Sequence, residues 1–484
     1  MNFKMIGKLL SQVLLGEAAF MLPALILEIV DQDFESSIAF VVAIILILAF
    51  SFILKFLCRG AERGFYAKEG LVTVSASWIL ISALGCLPFW ISGEFPSYID
   101  SLFEMVSGFT TTGASVATNV EELSRGVLYW RSFSHWLGGM GVLVLLLAIA
   151  PVGDEAKGFT MHLLRAESPG PNVGKLVPRM RKTALILYLI YFALTLLDII
   201  FLLLGRMPFF DALCTAFGTA GTGGFGIKAD SIAGYSPYLQ NVCTIFMLLF
   251  GVNFSCYYLL LLKNVKSVFK DEELRFYITM VVASIVLIVW NTWGIYGSLE
   301  ETVRHAAFQV SSIVTTTGFA TTDFDLWPSF SKAILICLMV VGACAGSTGG
   351  GLKCSRVLIL LKGLRRNMKQ LLHPRKIQVL RINGQKMDEK ILENTNAYLA
   401  VYVMIAFASF VIISLDGFSV TTNFTAMLAC FNNIGPGLEA VGPACNFAGY
   451  GVLSKLVLIL DMLAGRLEIF PIMVLFARST WQHK

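Results

Sequence analysis

The hexapeptide Phe109-Thr110-Thr111-Thr112-Gly113-Ala114 decides the predicted fold, because related turns occur three more times along the chain. The other three are Ala220-Gly221-Thr222-Gly223-Gly224-Phe225, Val314-Thr315-Thr316-Thr317-Gly318-Phe319 and Phe431-Asn432-Asn433-Ile434-Gly435-Pro436. Each of these four glycine turns follows a half-apolar segment that is too short to cross a bilayer, which is typical of re-entrant helices. The segments are Tyr98–Phe109, Pro208–Ala220, Glu300–Val314 and Thr421–Phe431. The pattern predicts four covalent repeats, each a span, a re-entrant segment, a glycine turn and a second span, around a pseudo-fourfold axis.

The composition excludes most classes of soluble protein. Of the 484 residues, 56% are hydrophobic and 14% are charged, whereas a soluble domain carries about a quarter charged residues. An ordinary soluble enzyme, a disordered chain and a secreted disulfide scaffold are therefore ruled out. The ten cysteines occur singly and the five histidines lie far apart, so we expect no structural metal site. We predict an all-α polytopic membrane protein.

Ten apolar runs are predicted to cross the membrane. They are Leu9–Val30, Ile38–Leu57, Leu71–Ile91, Val127–Ala150, Thr183–Leu204, Leu239–Leu262, Ile278–Trp293, Lys332–Leu361, Ala397–Leu415 and Gly451–Ala477. The first run has no small-residue cleavage site, so we expect it to be retained as a span. Residues 1–66 would then form two extra N-terminal helices. The four repeats would occupy 67–155, 156–270, 271–390 and 391–484.

Charged residues predict the orientation in the membrane. Basic residues concentrate in the loops Lys55–Lys68, Lys157–Lys182, Lys263–Arg275 and Lys362–Lys390. The positive-inside rule makes these loops and the N-terminus cytoplasmic. The opposite loops are acidic, which either concentrates cations at the outer face or is only solvated loop charge.

The glycine turns have the chemistry expected of an ion site. Irregular backbone at membrane depth is tolerated where it lines an aqueous cavity. Four such turns meeting at one axis would point carbonyl oxygens inward, and a ring of carbonyls can replace the hydration shell of a potassium ion. Glycine permits the strained dihedral angles, and the preceding short helices would direct their negative C-terminal ends at the cation.

With these repeats the sequence resembles the Trk/Ktr/HKT superfamily of potassium transporters, and the two extra N-terminal spans make it similar to the bacterial TrkH branch. The resemblance implies one filter glycine per turn, and Gly113, Gly318 and Gly435 match. In the second turn, counting from Asp100 and Asp211 gives Gly224, while matching Ala429-Cys430-Phe431 to Thr215-Ala216-Phe217 gives Gly221; we take Gly223, between them. The predicted potassium-binding residues are Thr110, Thr111, Thr112, Gly113, Ala220, Gly221, Thr222, Gly223, Thr315, Thr316, Thr317, Gly318, Asn432, Asn433, Ile434 and Gly435.

A second glycine-rich stretch, residues 342–353, interrupts the span Lys332–Leu361. We call it the glycine-rich loop. Gly346 lies 14 residues after Lys332, or about 21 Å along a helix, which places the break below the filter. The resemblance implies that this loop is a gate; the alternative is a kink for close packing. The predicted gate residues are Gly346, Ser347, Thr348, Gly349, Gly350, Gly351, Lys353 and Arg466.

Arg466 is expected at a similar depth in the last span, where an arginine is costly and usually faces a cavity or a partner. The resemblance implies that it faces the pore below the filter. Asp461 is five residues away and so lies on another helix face, while pairing with Glu468 or snorkelling toward the membrane surface stays open. Other polar residues expected within the membrane are Glu17, Glu28, His135, Asp198 and Asn253, either as interhelical hydrogen-bonding partners or as a proton relay.

Rival classes fit less well. Residues 221–226 match GxGxxG but follow a re-entrant segment rather than a strand, and Leu352 separates Gly351 from Lys353 in what would otherwise be a phosphate-binding loop. We therefore predict no enzyme. No span carries the arginine ladder of a voltage sensor. A proton- or sodium-coupled potassium symporter remains open, although its usual inverted repeats are missing.

The resemblance also implies a location and partners. We expect uptake of K⁺, and of Rb⁺, across the bacterial inner membrane, with no organic cofactor on this chain. The expected partners are TrkA-type cytosolic nucleotide-binding subunits on the basic face, a second copy of the chain in a homodimer, and membrane lipids. No nucleic acid is expected to bind.

Overall fold

The computed structural model describes residues 1–60, 66–141, 180–376 and 378–482. The helices as far as the third glycine turn are α1 Phe3–Val30, α2 Phe34–Leu57, α3 Ala67–Gly85, α4 Leu87–Ile91, α5 Tyr98–Phe109, α6 Arg125–Gly139, α7 Met180–Leu204, α8 Phe209–Gly221, α9 Pro237–Phe250, α10 Phe254–Leu261, α11 Val265–Lys270, α12 Glu272–Asn291 and α13 Leu299–Val314. The remaining elements are α14 Ser329–Val340, α15 Cys354–Leu372, β1 Arg381–Ile382, β2 Gln385–Lys386, α16 Glu389–Ile413, α17 Val420–Phe431, α18 Val452–Arg466, α19 Phe470–Phe476 and α20 Arg478–Trp481. The strands pair antiparallel as a single small hairpin.

Six helical segments in the described ranges are long and apolar enough to cross a membrane. They are Phe3–Val30, Phe34–Leu57, Ala67–Ile91, Ala184–Leu204, Glu272–Asn291 and Glu389–Asp416. A seventh candidate consists of α9 and α10, which are bent by 87° at their junction. The prediction of a helical, multi-pass membrane protein is confirmed.

Four predicted spans are not single helices in this structure, and one of them is Leu239–Leu262, which is divided into the bent pair α9 and α10. Lys332–Leu361 is divided into α14 and α15 by the glycine-rich loop, and Gly451–Ala477 into α18 and α19. The division between α18 and α19 occurs where Glu468 and Ile469 take positive φ angles of 59° and 64°. The predicted span Val127–Ala150 begins with α6, and its residues after 141 lie outside the described ranges.

The long helices turn one face to the protein and another outward. In α1 the side chains of Val13, Leu14 and Met21 are buried, and the facing Phe40 of α2 is completely enclosed. Many large apolar side chains elsewhere on α2 are exposed, among them Ile45. Apolar surface of that extent suits contact with lipid.

The four re-entrant helices are α5, α8, α13 and α17, close to the predicted segments. Serine caps start three of them: Ser97, Ser298 and Ser419 accept hydrogen bonds from backbone amides in the first helical turn. Such caps satisfy amides that have no partner within the helix. Each helix is mostly buried and ends at a glycine turn.

Glycines allow the helices that follow the turns to approach closely. A Cβ atom on Gly138 of α6 would collide with the carbonyl oxygen of Phe109 at the end of α5. Gly465 of α18 meets the carbonyl oxygen of Phe431 in the same way. The first and fourth repeats therefore pack the second span against the end of the re-entrant helix by the same contact.

Candidate functional site

The four glycine turns share one backbone conformation. In each turn a non-glycine residue and then, two positions later, a glycine have positive φ angles. The non-glycine residues are Thr111 (57°), Thr222 (55°), Thr316 (59°) and Asn433 (55°), and the glycines are Gly113 (77°), Gly224 (72°), Gly318 (86°) and Gly435 (98°). The left-handed region is costly for residues with a Cβ. Its repetition at equivalent positions identifies the turns as structural copies.

The shared conformation corrects the predicted register of the second turn. Gly224, not Gly223, corresponds to Gly113, so the equivalent stretch is 221–224 and Ala220 belongs to α8. The reason is that α8 continues to Gly221 and is capped by Thr222, so Gly221 takes the position of Thr110. Counting from Asp100 and Asp211 gives this register, whereas matching Ala429-Cys430-Phe431 to Thr215-Ala216-Phe217 does not.

Contacts between the turns form a closed ring. A Cβ atom on Gly113 would collide with the carbonyl oxygen of Gly223, and Cβ atoms on the other glycines would meet the next turn in the same way. These further pairs are Gly224 with the oxygen of Thr317, Gly318 with that of Ile434 and Gly435 with that of Thr112. In the last pair, the added Cβ atom would lie 2.8 Å from the oxygen. The order runs through all four turns and returns to the first. A side chain at any of the four glycines would push the ring apart.

Threonine hydroxyls support the first and third turns from within the protein. Thr110 Oγ1 donates to the carbonyl oxygen of Val106 at 2.6 Å and lies 2.8 Å from Thr112 Oγ1. Thr315 Oγ1 repeats both contacts, with Ser311 O at 2.6 Å and Thr317 Oγ1 at 2.8 Å. These hydroxyls stabilise the turns and leave the ring to main-chain oxygens.

The asparagines of the fourth turn have a comparable supporting role. Asn432 and the hydroxyl of Tyr402 are hydrogen-bonded at 2.9 and 3.0 Å. Asn433 Nδ2 donates to Thr112 Oγ1 and to the carbonyl oxygen of Met462, both at 2.9 Å. The fourth turn thus differs from the others in its side chains but not in its backbone.

The glycine-rich loop packs directly against the ring. The backbone amide of Gly350 donates to Thr316 Oγ1 at 2.6 Å. A Cβ atom on Gly350 would lie 2.5 Å from the carbonyl oxygen of Asn432, and one on Gly349 would lie 2.9 Å from that of Thr315. Only glycine allows the loop to come this close to the third and fourth turns.

Arg466 joins the glycine-rich loop to the first turn. Its Nη1 donates to the carbonyl oxygen of Thr348 at 2.8 Å and to Thr111 Oγ1 at 3.3 Å. Its Nη2 donates to the carbonyl oxygens of Gly138 and Gly139 at 2.5 and 2.6 Å. The positive charge therefore lies beside the ring and the loop. Lys353, the other predicted basic gate residue, is hydrogen-bonded through Nζ to the carbonyl oxygen of Gly349.

The acids near Arg466 have partners of their own. Asp461 accepts a hydrogen bond from the hydroxyl of Ser409 at 2.7 Å. Glu468 forms an ion pair with Arg356. The hydrogen bonds given above for Arg466 go to main-chain carbonyl oxygens and to Thr111.

With the ring and the loop described, comparison with known proteins decides the family. The family model for TrkH, a cation transport protein, matches residues 36–483. The chain belongs to the TrkH family. It is 35% identical over 491 residues to the Trk system potassium uptake protein TrkH of Salmonella typhimurium, with both chains fully covered. It is also 34% identical over 421 residues to TrkG of Escherichia coli, covering 86% of each chain.

The fold agrees with a solved member of the TrkH family. The crystal structure of the potassium transporter TrkH from Vibrio parahaemolyticus aligns over the whole of both chains, with a TM-score of 0.89 and 30% sequence identity. The recognition of the family and the fold class predicted from the sequence are confirmed. Membership of a transporter family also confirms that the chain is not an enzyme.

The interhelical hydrogen bond expected of His135 is present and supports the first and second turns, whereas the ion pair beside it was not predicted. His135 Nε2 accepts a hydrogen bond from the amide of Phe225 at 3.2 Å, so its Nδ1 carries the proton and donates to the carbonyl oxygen of Gly108 at 2.7 Å. The buried pair Arg131–Glu104, at 2.5 Å, lies alongside. A glutamate on a short re-entrant segment followed by an arginine on the next span was the available signal.

Other polar residues predicted within the membrane behave differently from one another. Glu28 accepts a hydrogen bond from Ser124 at 2.6 Å, and Asn253 caps α10. Glu28 thus has a contact with another helix, as expected, whereas this hydrogen bond of Asn253 lies within its own helix. Within the described ranges, neither carboxyl oxygen of Glu17 or of Asp198 has a hydrogen-bonding partner. The interhelical hydrogen bond expected for these two acids is therefore not present in this structure.

The outer loops bring acidic side chains near the fourth turn. Asp325 Oδ2 accepts from the amide of Glu439 at 3.1 Å. Hydrogen bonds from Ser419 and Thr422 hold the pKa of Glu439 below its ordinary value. Glu439 thus carries its negative charge at neutral pH.

Proposed function

We propose that this chain takes up potassium across the bacterial inner membrane through a gated, channel-like pore. The observation that carries the proposal is the closed ring in which each filter glycine meets the carbonyl oxygen of the next turn. A ring of main-chain oxygens suits a dehydrated monovalent cation. The relatives TrkH and TrkG are named as potassium uptake proteins, which supports potassium as the transported ion.

The potassium site in this proposal comprises residues 110–113, 221–224, 315–318 and 432–435. The helices α5, α8, α13 and α17 end at these turns and would direct their partial negative charge toward the ion. Rubidium, a monovalent cation of similar size, should follow the same path. The division into two N-terminal helices and four repeats is part of the proposal.

The glycine-rich loop is proposed as the gate, and Arg466 as the residue whose hydrogen bonds hold the gate closed. The contacts of Gly349 and Gly350 with the ring support a position of the loop at the end of the ion path. Arg466 adds a positive charge and bonds to both loop and ring. A closed pore of this kind conducts when the loop withdraws.

The proposed partners are TrkA-type cytosolic nucleotide-binding subunits, a second copy of the chain and membrane lipids. Exposed Arg365 and Lys369 on α15 support docking on this basic face. A standard interface buries about 1,600 Å², so a dimer would offer a larger platform than one chain. The N-terminus would lie on this cytoplasmic side, as the positive-inside rule predicts.

Ion flux into proteoliposomes tests this function. Purified protein should transport potassium and rubidium in preference to sodium and lithium, and more rapidly when the cytosolic partner and nucleotide are present. Equal flux of all four ions would contradict a selective ring. Potassium flux that stops without a proton or sodium gradient would favour the coupled symporter instead.

A further inference from the structure

Glu273, near the start of α12, is hydrogen-bonded to the glycine-rich loop and to the first turn of α15, which follows the loop. Its Oε1 atom accepts from the backbone amide of Ala345 at 2.6 Å and from that of Ser355 at 3.1 Å. Ala345 and Ser355 flank the segment that lies against the ring, and both are buried. One carboxylate oxygen thus joins the two limbs of the loop.

Besides Arg466 and Thr316, main-chain contacts also anchor the loop. The amide of Gly342 donates to the carbonyl oxygen of Leu352 at 3.0 Å, and the amide of Cys354 donates to that of Ala343 at 3.1 Å. The amide of Phe254, at the bend after α9, donates to the carbonyl oxygen of Gly346 at 3.0 Å. Glu273 Oε1, in contrast, is a single side-chain atom that accepts from two amides, one on each side of the segment against the ring. Glu273 is therefore a side chain whose position can decide whether the limbs stay together.

A cytoplasmic hairpin is attached to the residues next to Glu273. Asn383, in the hairpin turn, accepts through Oδ1 from the amide of Glu272 at 2.8 Å and donates through Nδ2 to Asp271 Oδ2 at 2.8 Å. Asn383 and Gly384 both have positive φ angles, 52° and 75°, as tight hairpin turns require. A displacement of this turn would act directly on the first turn of α12.

The helix α15 is attached at the same place. Lys362 donates to the carbonyl oxygen of Arg381 in β1 at 2.8 Å and forms an ion pair with Glu272. The glycine-rich loop leads directly into α15. The hairpin, α12 and α15 therefore form one connected unit on the cytoplasmic side of the loop.

We propose that Glu273 is a positioning residue that holds the glycine-rich loop beneath the ring, and that the hairpin sets its position through Asn383. The inference rests on the proposed function, since it needs a pore that the loop closes. N–H···O bonds extend to about 3.2 Å. A shift of the start of α12 by about 1 Å would lengthen both bonds from Glu273 beyond that range, and the loop would lose both attachments together.

The test uses the full chain in proteoliposomes with rubidium as the tracer. Glu273→Ala should raise basal flux on the order of tenfold, because both hydrogen bonds that Glu273 accepts are lost. Glu273→Gln should raise it less, since an amide oxygen can still accept. Both variants should keep the preference for potassium over sodium. Glu393→Ala, which removes an exposed cytoplasmic carboxylate from α16, is the matched control.

Hydrogen exchange supplies a second readout for the two hydrogen bonds that Glu273 accepts, which we call the Glu273 clamp. In Glu273→Ala, backbone amides in residues 343–355 should exchange faster than in the wild type, while those of the ring should not. Unchanged basal flux and unchanged exchange in both Glu273 variants would overturn the clamp. Faster exchange throughout the ring would mean a general structural role and would overturn it too.

The hairpin is tested by combining substitutions. Asn383→Ala should raise basal flux in the wild-type background and add nothing in the Glu273→Ala background, because it acts through the same contact. Independent, additive effects would overturn the connection through Asn383.

If deletion of Ala345–Gly350 opens the pore while the Glu273 variants match the wild type, only the clamp fails. If neither the wild type nor the deletion transports rubidium, the proposed function fails with it.

Discussion

The guanidinium group of Arg466 donates a hydrogen bond of 2.8 Å to the main-chain carbonyl oxygen of Thr348 in the glycine-rich loop. The same nitrogen is 3.3 Å from Thr111 Oγ1 in the first glycine turn. One side chain from the last part of the chain therefore touches both the proposed gate and the proposed filter. Substitutions of Arg466, of the loop and of the glycine turns can therefore be compared for their effects on the rate of transport and on ion preference.

Substitution of Arg466 should increase ion flux. Arg466→Ala removes the bond to the loop and a fixed positive charge, which repels a cation at 4 Å by about 4 kcal/mol if the effective dielectric is near 20. Arg466→Lys keeps the charge but loses the planar guanidinium group whose two terminal nitrogens donate to different acceptors. The increase in ion flux should therefore be smaller. Rubidium uptake at equal protein density measures both. If both variants transport less than the wild type, Arg466 has a structural role only.

Deletion of Ala345–Gly350 should raise basal flux with little change in ion preference. The deletion removes the residues that contact Thr316 and Asn432, while the ring keeps its own contacts between turns. Parallel uptake of potassium and sodium measures rate and preference together. Loss of all transport in a correctly inserted variant, or an unchanged rate, would count against the loop as a gate.

Serine at Gly113, Gly224 or Gly318 should reduce the preference for potassium over sodium. Each glycine has a positive φ angle and meets a carbonyl oxygen of the next turn. We expect a reduction of about tenfold, equivalent to about 1.4 kcal/mol. Gly417→Ser is the matched control, because Gly417 also has a positive φ of 78° but has open space around it.

The selectivity result also tests the corrected register. Gly224→Ser should change ion preference as Gly113→Ser does, because their surroundings are equivalent. If all three substitutions leave relative flux unchanged, the glycine turns are not the filter.

Neutralising Arg365 and Lys369 should weaken binding of the cytosolic partner. Both side chains are exposed, whereas Arg366 forms an ion pair with Glu389 at 3.2 Å and is less available. The double substitution to glutamine should reduce pull-down of the partner, most strongly at low salt where these charges are least screened. It should also lower nucleotide-stimulated flux without changing basal flux. The equivalent change at Lys263 and Lys266 is the control. Binding that survives at every salt concentration would locate the docking surface elsewhere.

The sequence by itself determined the class of the protein and the number of its repeats. Apolar runs of bilayer length and the recurrence of the glycine turns are local properties, because one segment can form a helix or a turn with little help from the rest. The predicted segment Tyr98–Phe109 matches α5 at both ends for this reason. The position of Arg466 within the last span also indicated that it would lie near the glycine-rich loop.

Tertiary structure alone decided which residues meet. Gly224 rather than Gly223 takes the position equivalent to Gly113, which the sequence left open because two ways of aligning the second turn gave different glycines. The contacts of His135 with Phe225 and of Glu273 with both Ala345 and Ser355 join residues far apart in the chain. Such contacts depend on how the four repeats close around the axis, and a single sequence carries no direct record of that geometry.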